Sequence, residues 1–493
     1  MRRRIVVGFL LTFLVVLTWF TISFVLALTN PSYGTSLSSR AAEWGRDHGL
    51  GGLVTFIETE WYKLNPPKVG GTPPPGSFTG STVKVRTVPS ALAPPSRLRS
   101  PAGAWLPDEG VWHPAGRLVD GIPAILTTTV RPDAVHTSYV VGVAWMDPRL
   151  LRAQLYSGSE IPGGGPFTHS APIATAASKA LDAAFNAGFL MQNASGGYYT
   201  DGRAVLPLRR GAASLVVYSD GSATVGAWGG QLTMNPSVVS VRQNLDLIVN
   251  NGRPVPGLLA NDNSQWGATL GGGFYVWRSG IGVTRSGALV YAGGPSLAIT
   301  SLANLLVDAG AVRAMEMDIN PDWVQYSTYR GRPNAPATGA NGSSLLSSMA
   351  GAPSRYFQTW WIRDFYTMSV RRAPDPRLIA SLRSRKRSEL TGMGRGRMRP
   401  VLMRFQEGSP RRLRVRGAVE CHGNCRNNTL DVGLYDLGYL ASPPHVGRPL
   451  VCRLPRLDPA RRPARLGALS SSPRGAGSTV AGDSSPRLSP CLS

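Results

Sequence analysis

Ile5 to Leu28 is an uncharged, apolar run of 24 residues directly after Met1-Arg2-Arg3-Arg4. About 20 apolar residues suffice for a helix to cross the hydrocarbon core of a bilayer. Cationic flanks stay in the cytoplasm, so this order sends the rest of the chain outside. A cleaved signal peptide is the alternative, with Val25-Leu26-Ala27 as its small-residue site. Signal cores are shorter, about 7–15 residues, which favours an uncleaved anchor. A buried globular helix fits poorly, because no polar face interrupts the run. The expectation is a single-pass protein of the cell membrane, with residues 1–28 as cytoplasmic stub and signal anchor and the body extracytoplasmic.

Residues 29–64 follow as a juxtamembrane amphipathic segment. Leu53, Ile57, Trp61 and Leu64 recur at helical spacing, predicting one helix over Ser39 to Leu64. Its apolar face, with Trp44, Trp61 and Tyr62, either meets lipid headgroups or packs on the protein's own domain. Residues 65–103 contain Pro66-Pro67, Pro73-Pro74-Pro75 and Pro94-Pro95. Proline fixes φ and removes donors, so this stretch is expected to be a semi-rigid spacer holding the body off the bilayer.

Residues 104–372 carry the pattern of a folded domain. Strands are expected over Tyr139–Trp145, Leu151–Tyr156 and Val312–Ile319. Ile173–Ala184 is Ala-rich and predicts a helix, as does Ser301–Ala309, which Gly310 stops. Ser219-Asp220-Gly221, Asn250-Asn251-Gly252 and Arg285-Ser286-Gly287 each join two strand-like runs, a hairpin signature. Hairpins outnumber βαβ patterns, so the fold class is α+β, with a mixed, mainly antiparallel sheet and a few helices.

From Arg371 onward the chain has 24 basic and 8 acidic residues, against 28 basic and 20 acidic before it. The charge excess therefore belongs mostly to residues 373–493, an Arg/Pro/Ser-rich tail without periodicity. It is either a disordered basic arm or out-of-frame sequence, and no fold is assigned to it. A tail outside the cell has no nucleic acid to meet. The four cysteines, Cys421, Cys425, Cys452 and Cys491, all lie there, so no disulfide framework holds the body. Cys421-His422-x-x-Cys425 lacks a second ligand pair, and none of the six histidines makes a His-Glu-x-x-His motif. No metal site and no cofactor are assigned.

Chemistry concentrates in a few places. Glu316 and Asp318 are two apart on an expected strand, which puts both carboxylates on one face and Met315 and Met317 on the other. Such a pair divides into acid and base by opposed pKa shifts and is common in glycosidases; a solvated strand face is the plainer alternative. Arg278 offers a planar fork suited to phosphate, or is simply an exposed hairpin arginine. Asn186 lies where a turn needs one.

Phe185-Asn186-Ala187-Gly188-Phe189, Arg278-Ser279-Gly280-Ile281-Gly282 and Glu316-Met317-Asp318-Ile319-Asn320 stand in the order and spacing of a known set of motifs. Over roughly Tyr139 to Tyr329 the chain resembles the phosphodiester glycosidases, relatives of the N-acetylglucosamine phosphodiester "uncovering enzyme". The resemblance implies hydrolysis of a sugar-phosphate diester in an envelope glycan, with Asp318 and Glu316 catalytic and Arg278 and Asn186 binding substrate or phosphate. The family's glycine run after the Asp is replaced by Ile319-Asn320-Pro321, and Glu316 stands where the family has Asn. Glycines let backbone N–H groups approach a phosphate, and Pro321 has none to give. An altered phosphate pocket is therefore expected, and a non-catalytic glycan- or phosphate-binding module on the same fold is the alternative function.

Overall fold

The computed structural model describes residues 2–78, 80, 91–258, 266, 275–332 and 335–371, with four short strands beyond them. The chain forms two units, Met1–Leu390 and Thr391–Ser493. In the second, Met398–Leu402 pairs with Val451–Pro455 and Arg412–Leu413 with Leu469–Ser470, both antiparallel. The Cys421-His422-x-x-Cys425 stretch, and most of the tail, to which no fold was assigned, lie outside the described residues.

The body is α+β. Its largest sheet has eight strands in the order β1 (His113–Val119), β2 (Ile122–Val130), β3 (Val141–Met146), β14 (Leu289–Leu297), β13 (Val276–Thr284), β15 (Ala311–Glu316), β11 (Leu247–Asn250) and β12 (Arg253–Pro254). One five-stranded sheet runs β7 (Arg203–Leu206), β6 (Tyr198–Thr200), β10 (Val238–Gln243), β8 (Ala213–Tyr218) and β9 (Ala223–Ala227). The other runs β17 (Gly342–Ser344), β16 (Tyr326–Tyr329), β5 (Leu181–Asn186), β18 (Phe365–Val370) and β4 (Leu151–Tyr156). All these ladders are antiparallel, and parallel pairing is confined to isolated bridges such as Ser157 with Ser170. The three hairpins close at Gly221, Gly252 and Gly287, all at positive φ, where a side chain would be strained.

Period-two alternation explains why the large sheet is covered on both faces. Ala144, Met146, Leu289 and Tyr291 enter a core shared with Phe185 of β5 and Leu215 of β8. Their neighbours Val143, Trp145, Val290 and Ala292 enter a second core, with Leu302, Leu305 and Leu306 of helix α5 (Ile299–Asp308). Gly280 and Gly282 make that second layer fit. A Cβ at Gly280 would stand 2.9 Å from Leu306 Cδ1, and one at Gly282 2.7 Å from Ala311 Cβ. Gly280 thus serves helix-on-sheet packing, and Gly282 the close approach of β15.

Two helix expectations are corrected. Ile173–Ala184 contains only the single turn α4 (Thr175–Ser178) before β5 begins. Alanine's helical propensity loses to burial, because Phe185 stacks between Tyr326 and Tyr366 at the sheet centre. Ser39–Leu64 is not one helix but α2 (Leu37–Asp47) and α3 (Gly51–Leu64), broken at Gly49 with φ +80°. The long helix α1 (Arg2–Thr29) is apolar and long enough to cross a membrane.

No spacer separates α1 from the body. Trp44 Nε1 donates to Ser23 Oγ at 3.0 Å, and Arg40 Nη1 to Leu28 O at 2.8 Å, binding α2 to the end of α1. The described Pro-rich residues, 65–78 and 91–103, lie on the body as a strap. Gly70 N donates to Val135 O at 2.7 Å, Thr137 Oγ1 to Gly71 O at 2.8 Å, and Leu98 N to Gly110 O at 2.8 Å. A chain poor in donors still offers carbonyls, so it can lie extended on a surface without joining a sheet.

Asp182 of β5 is fully buried. It accepts the Arg117 backbone N–H through Oδ1 at 2.5 Å, and its Oδ2 has no partner among the described residues. Burial pushes its carboxyl up to about 8, against the pull of Arg117. The folded state then holds a proton that the unfolded state has released above its ordinary value near 4, so stability falls as pH rises from about 4 to about 8. Asp182→Asn should flatten that slope. Thermal melts of the full chain in detergent should show the variant gaining on wild type as pH rises, with little difference at the acid end. An unchanged slope would refute the assignment.

Candidate functional site

The site is built on the end of β15, where it leaves the ladder with β13. Two further backbone bonds extend the pairing past Glu316. Met317 N donates to Ser279 O and Ser279 N to Asp318 O, both at 2.8 Å. Ser279 Oγ adds a bond to Asp318 O at 3.0 Å and receives one from Asp318 N at 3.1 Å. Asn186, the last residue of β5, donates through Nδ2 to Ser279 Oγ at 3.0 Å, and its Oδ1 accepts from Tyr291 Oη at 2.8 Å and Gln325 N at 3.1 Å. Asn244 Nδ2 donates to Glu316 O at 3.0 Å, and its Oδ1 accepts from Phe189 N at 3.0 Å. A Cβ at Gly188 would lie 2.6 Å from that Oδ1, so glycine is needed there. The three motif stretches named from sequence therefore meet in one hydrogen-bonded knot.

Asp318 lies at the edge of this knot. Its Oδ1 accepts the N–H groups of Ile319 at 2.8 Å and Asn320 at 3.0 Å, and its Oδ2 faces Arg363 Nη1 at 3.9 Å. Burial pushes the Asp318 carboxyl up to about 6, with Arg363 and the two N–H groups opposing. The amides of Ile319 and Asn320 are turned onto this protein's own carboxylate. Met315 and Met317 enter the main core.

Glu316 and Arg278 form a fully enclosed ion pair, Nη1 to Oε1 at 2.5 Å, and Arg278 Nε donates to Leu297 O at 2.9 Å. Burial pushes the Glu316 carboxyl up to about 7 despite Arg278, and the charge on Asp318 adds to the rise. Glu316 Oε2 has no hydrogen-bond partner among the described residues. Arg278 is thus sealed inside the sheet layer and not presented to a ligand as a phosphate fork. Asn186 spends both amide ends on the protein.

Arg363, just ahead of β18, is the cation beside Asp318. Its guanidinium lies over Trp323 at 4.3 Å. Its Nη2 donates at 3.2 Å to Glu43 Oε1 of α2, which also accepts from Trp323 Nε1 at 3.2 Å and Arg46 Nη1 at 3.1 Å. Glu43, Arg363, Ser279 and Asn244 were not singled out from sequence. Arg363-Asp364 between Ile362 and Phe365 was the visible signal, adjacent opposite charges in an apolar run. Glu43 gave none, since its partner lies 320 residues away. Among the described residues, no group of three or more His, Cys, Asp or Glu could hold a metal ion.

No protein-family model matches the chain, and no curated protein matches it. Solved structures do. One is the zebrafish N-acetylglucosamine-1-phosphodiester alpha-N-acetylglucosaminidase catalytic domain, auto-inhibited by pro-peptide, at 15% identity over 53% of this chain and 88% of that one, with a TM-score of 0.34. Others are a hypothetical protein from Synechocystis (11% identity, 51% and 63% of the two chains, TM-score 0.27) and a putative exported protein from Burkholderia pseudomallei (13%, 47% and 74%, TM-score 0.26).

Breaking the enclosed pair should be far worse than replacing it. Glu316→Leu should lower unfolding free energy by about 3 kcal/mol or more, while Arg278→Met with Glu316→Leu should recover much of that loss. Denaturant melts of the full chain in detergent measure both. A double variant no better than the single one would show that the pair is not the unit.

Proposed function

We propose that the protein is a membrane-anchored, extracytoplasmic hydrolase of the phosphodiester glycosidase type, cleaving a sugar-phosphate diester in an envelope glycan. The observation that carries this reading is Asp318, a buried carboxyl held by two backbone N–H groups through one oxygen and facing Arg363 with the other. Three motif stretches converging on it, in the order of the resemblance, support the same reading.

In this mechanism Asp318 is the nucleophile or general base. A carboxyl raised to about 6 is mostly ionised at neutral pH yet remains basic enough to take a proton from water. Water gives a proton to Asp318 and bonds to the anomeric carbon as the glycosidic C–O bond breaks, and the phosphate monoester leaves with the bonding electron pair. Arg363 supplies the positive charge for that phosphate, the role the sequence suggested for Arg278. Glu316, raised to about 7 but enclosed with Arg278, does not reach the substrate and fixes the strand end that carries Asp318. Asn186 positions Ser279 and so the Asp318 backbone. One feature favours the second reading, a non-catalytic glycan- or phosphate-binding module. Glu316 is enclosed with Arg278, which leaves Asp318 without a second freely accessible carboxyl.

The test is hydrolysis of chromogenic sugar phosphodiesters by the purified full chain. Asp318→Asn should cut turnover at least about a hundredfold with little loss of folding. Wild-type turnover should climb with pH through about 6 as Asp318 ionises. Arg363→Ala should lower kcat/KM more than kcat, because it loses ground-state binding as well. Glycan binding without turnover on any sugar would transfer the assignment to the binding module.

A further inference from the structure

Between the segment leaving α1 and the loop before β18 lies a cleft of about 290 Å³. Pro31, Gly34, Thr35 and Arg40 form one side; Asp322, Arg355 and three tryptophans, Trp323, Trp360 and Trp361, form the other. The volume is at the small end for ligand pockets, about 300 Å³ upward, and suits one headgroup. Trp323 is shared with the Asp318 site, since Arg363 stacks on it.

The polar atoms of this cleft are unbalanced. Arg355 is 5% exposed. Its Nη1 donates to Asp322 O at 2.9 Å and its guanidinium lies over Trp361 at 4.7 Å, but its Nε has no partner among the described residues. Trp361 Nε1, also buried, has none either. The Asp322 carboxylate is engaged by Thr35, through both its N–H and its hydroxyl. Buried donors without acceptors are costly, and a buried cation more so. An anionic oxygen would satisfy both donors, and indole faces suit the apolar face of a sugar ring.

The cleft also has a fixed place relative to the anchor. Pro31 and Gly34 follow the end of α1 at Thr29 by two and five residues. Beside them α3 leaves Leu53, Phe56, Ile57, Trp61 and Leu64 exposed as one apolar stripe, the pattern of a helix lying in a bilayer interface. Arg46 of α2 ties α3 down through Glu58 at 2.6 Å. Both features bring the cleft to headgroup level.

We propose that this cleft binds a phosphate-bearing sugar presented as the headgroup of a membrane lipid, with Arg355 and Trp361 donating to phosphate oxygens and Trp360 against the ring. The substrate class of the neighbouring site is then a lipid-linked glycosyl phosphate. This rests on α1 as anchor and on the hydrolase reading, but its test reads binding alone, in the Asp318→Asn background, so loss of turnover does not affect it.

Full-length Asp318→Asn protein is placed in phosphatidylcholine nanodiscs. Its melting temperature is followed with added glucose 1-phosphate, and in nanodiscs doped with polyprenyl phosphoglucose. Stabilisation is expected from both, with polyprenyl phosphoglucose acting at lower concentration. Trp360→Ala, at a half-buried residue on the margin of the aromatic core, should weaken both responses at least about tenfold, the effect of losing about 1.4 kcal/mol. Arg355→Gln should do the same, and Trp360→Ala carries the test if that variant fails to fold. Stabilisation by glucose 1-phosphate but not by polyprenyl phosphoglucose would overturn the lipid assignment. No response to either, or an undiminished response in Trp360→Ala, would overturn the site.

Discussion

Arg278 and Glu316 face each other across β13 and β15 with no solvent reaching either. Two ions so enclosed cannot separate without leaving desolvated charge behind, so the register of these strands is held firmly. The remaining structure around the site depends on that register. It brings Ser279 opposite the chain just past Glu316, where its backbone and hydroxyl hold Met317 and Asp318. Asn186 and Asn244 then attach β5 and the Phe185–Phe189 turn to the same point. An enclosed charge pair adds little net stability, and its value here is geometric.

Around this rigid knot the charges are graded. Arg278 and Glu316 are sealed and mutually engaged, whereas Asp318 and Arg363 lie at the knot's edge, with a longer separation of 3.9 Å. The sealed pair holds the edge pair in place. Glu43 reaches the same edge from α2, so α2 is part of the site's wall. Helix α1, α2 and the body thus form one connected structure.

Much of the fold was legible in the sequence because its signals are local. An apolar run needs no partner to declare itself, and Asp-Gly, Asn-Gly and Ser-Gly turns impose hairpins through backbone conformation alone. The misread elements were those where burial overrides local preference. Ala-rich 173–184 kept a single helical turn and then ran into β5, because Phe185 had an aromatic slot to fill, and the described residues of 65–103 lie on the body because backbone groups beside the prolines exchange hydrogen bonds with it. At the site, the spacing of Glu316 and Asp318 set Met315 and Met317 on the opposite face, and the structure buries both methionines in the core. It could not say which cation would stand by which carboxyl.

The sequence by itself determined the membrane-length helix, the antiparallel character of the body and the three stretches that converge. Those follow from hydropathy, turn chemistry and period, which act over a few residues. Only the tertiary structure decided that Arg278 is enclosed with Glu316 while Arg363 stands by Asp318, and that Glu43 joins them from 320 positions away. Ion pairing depends on distance in space and on exclusion of water, and neither is a property of neighbouring letters in a chain.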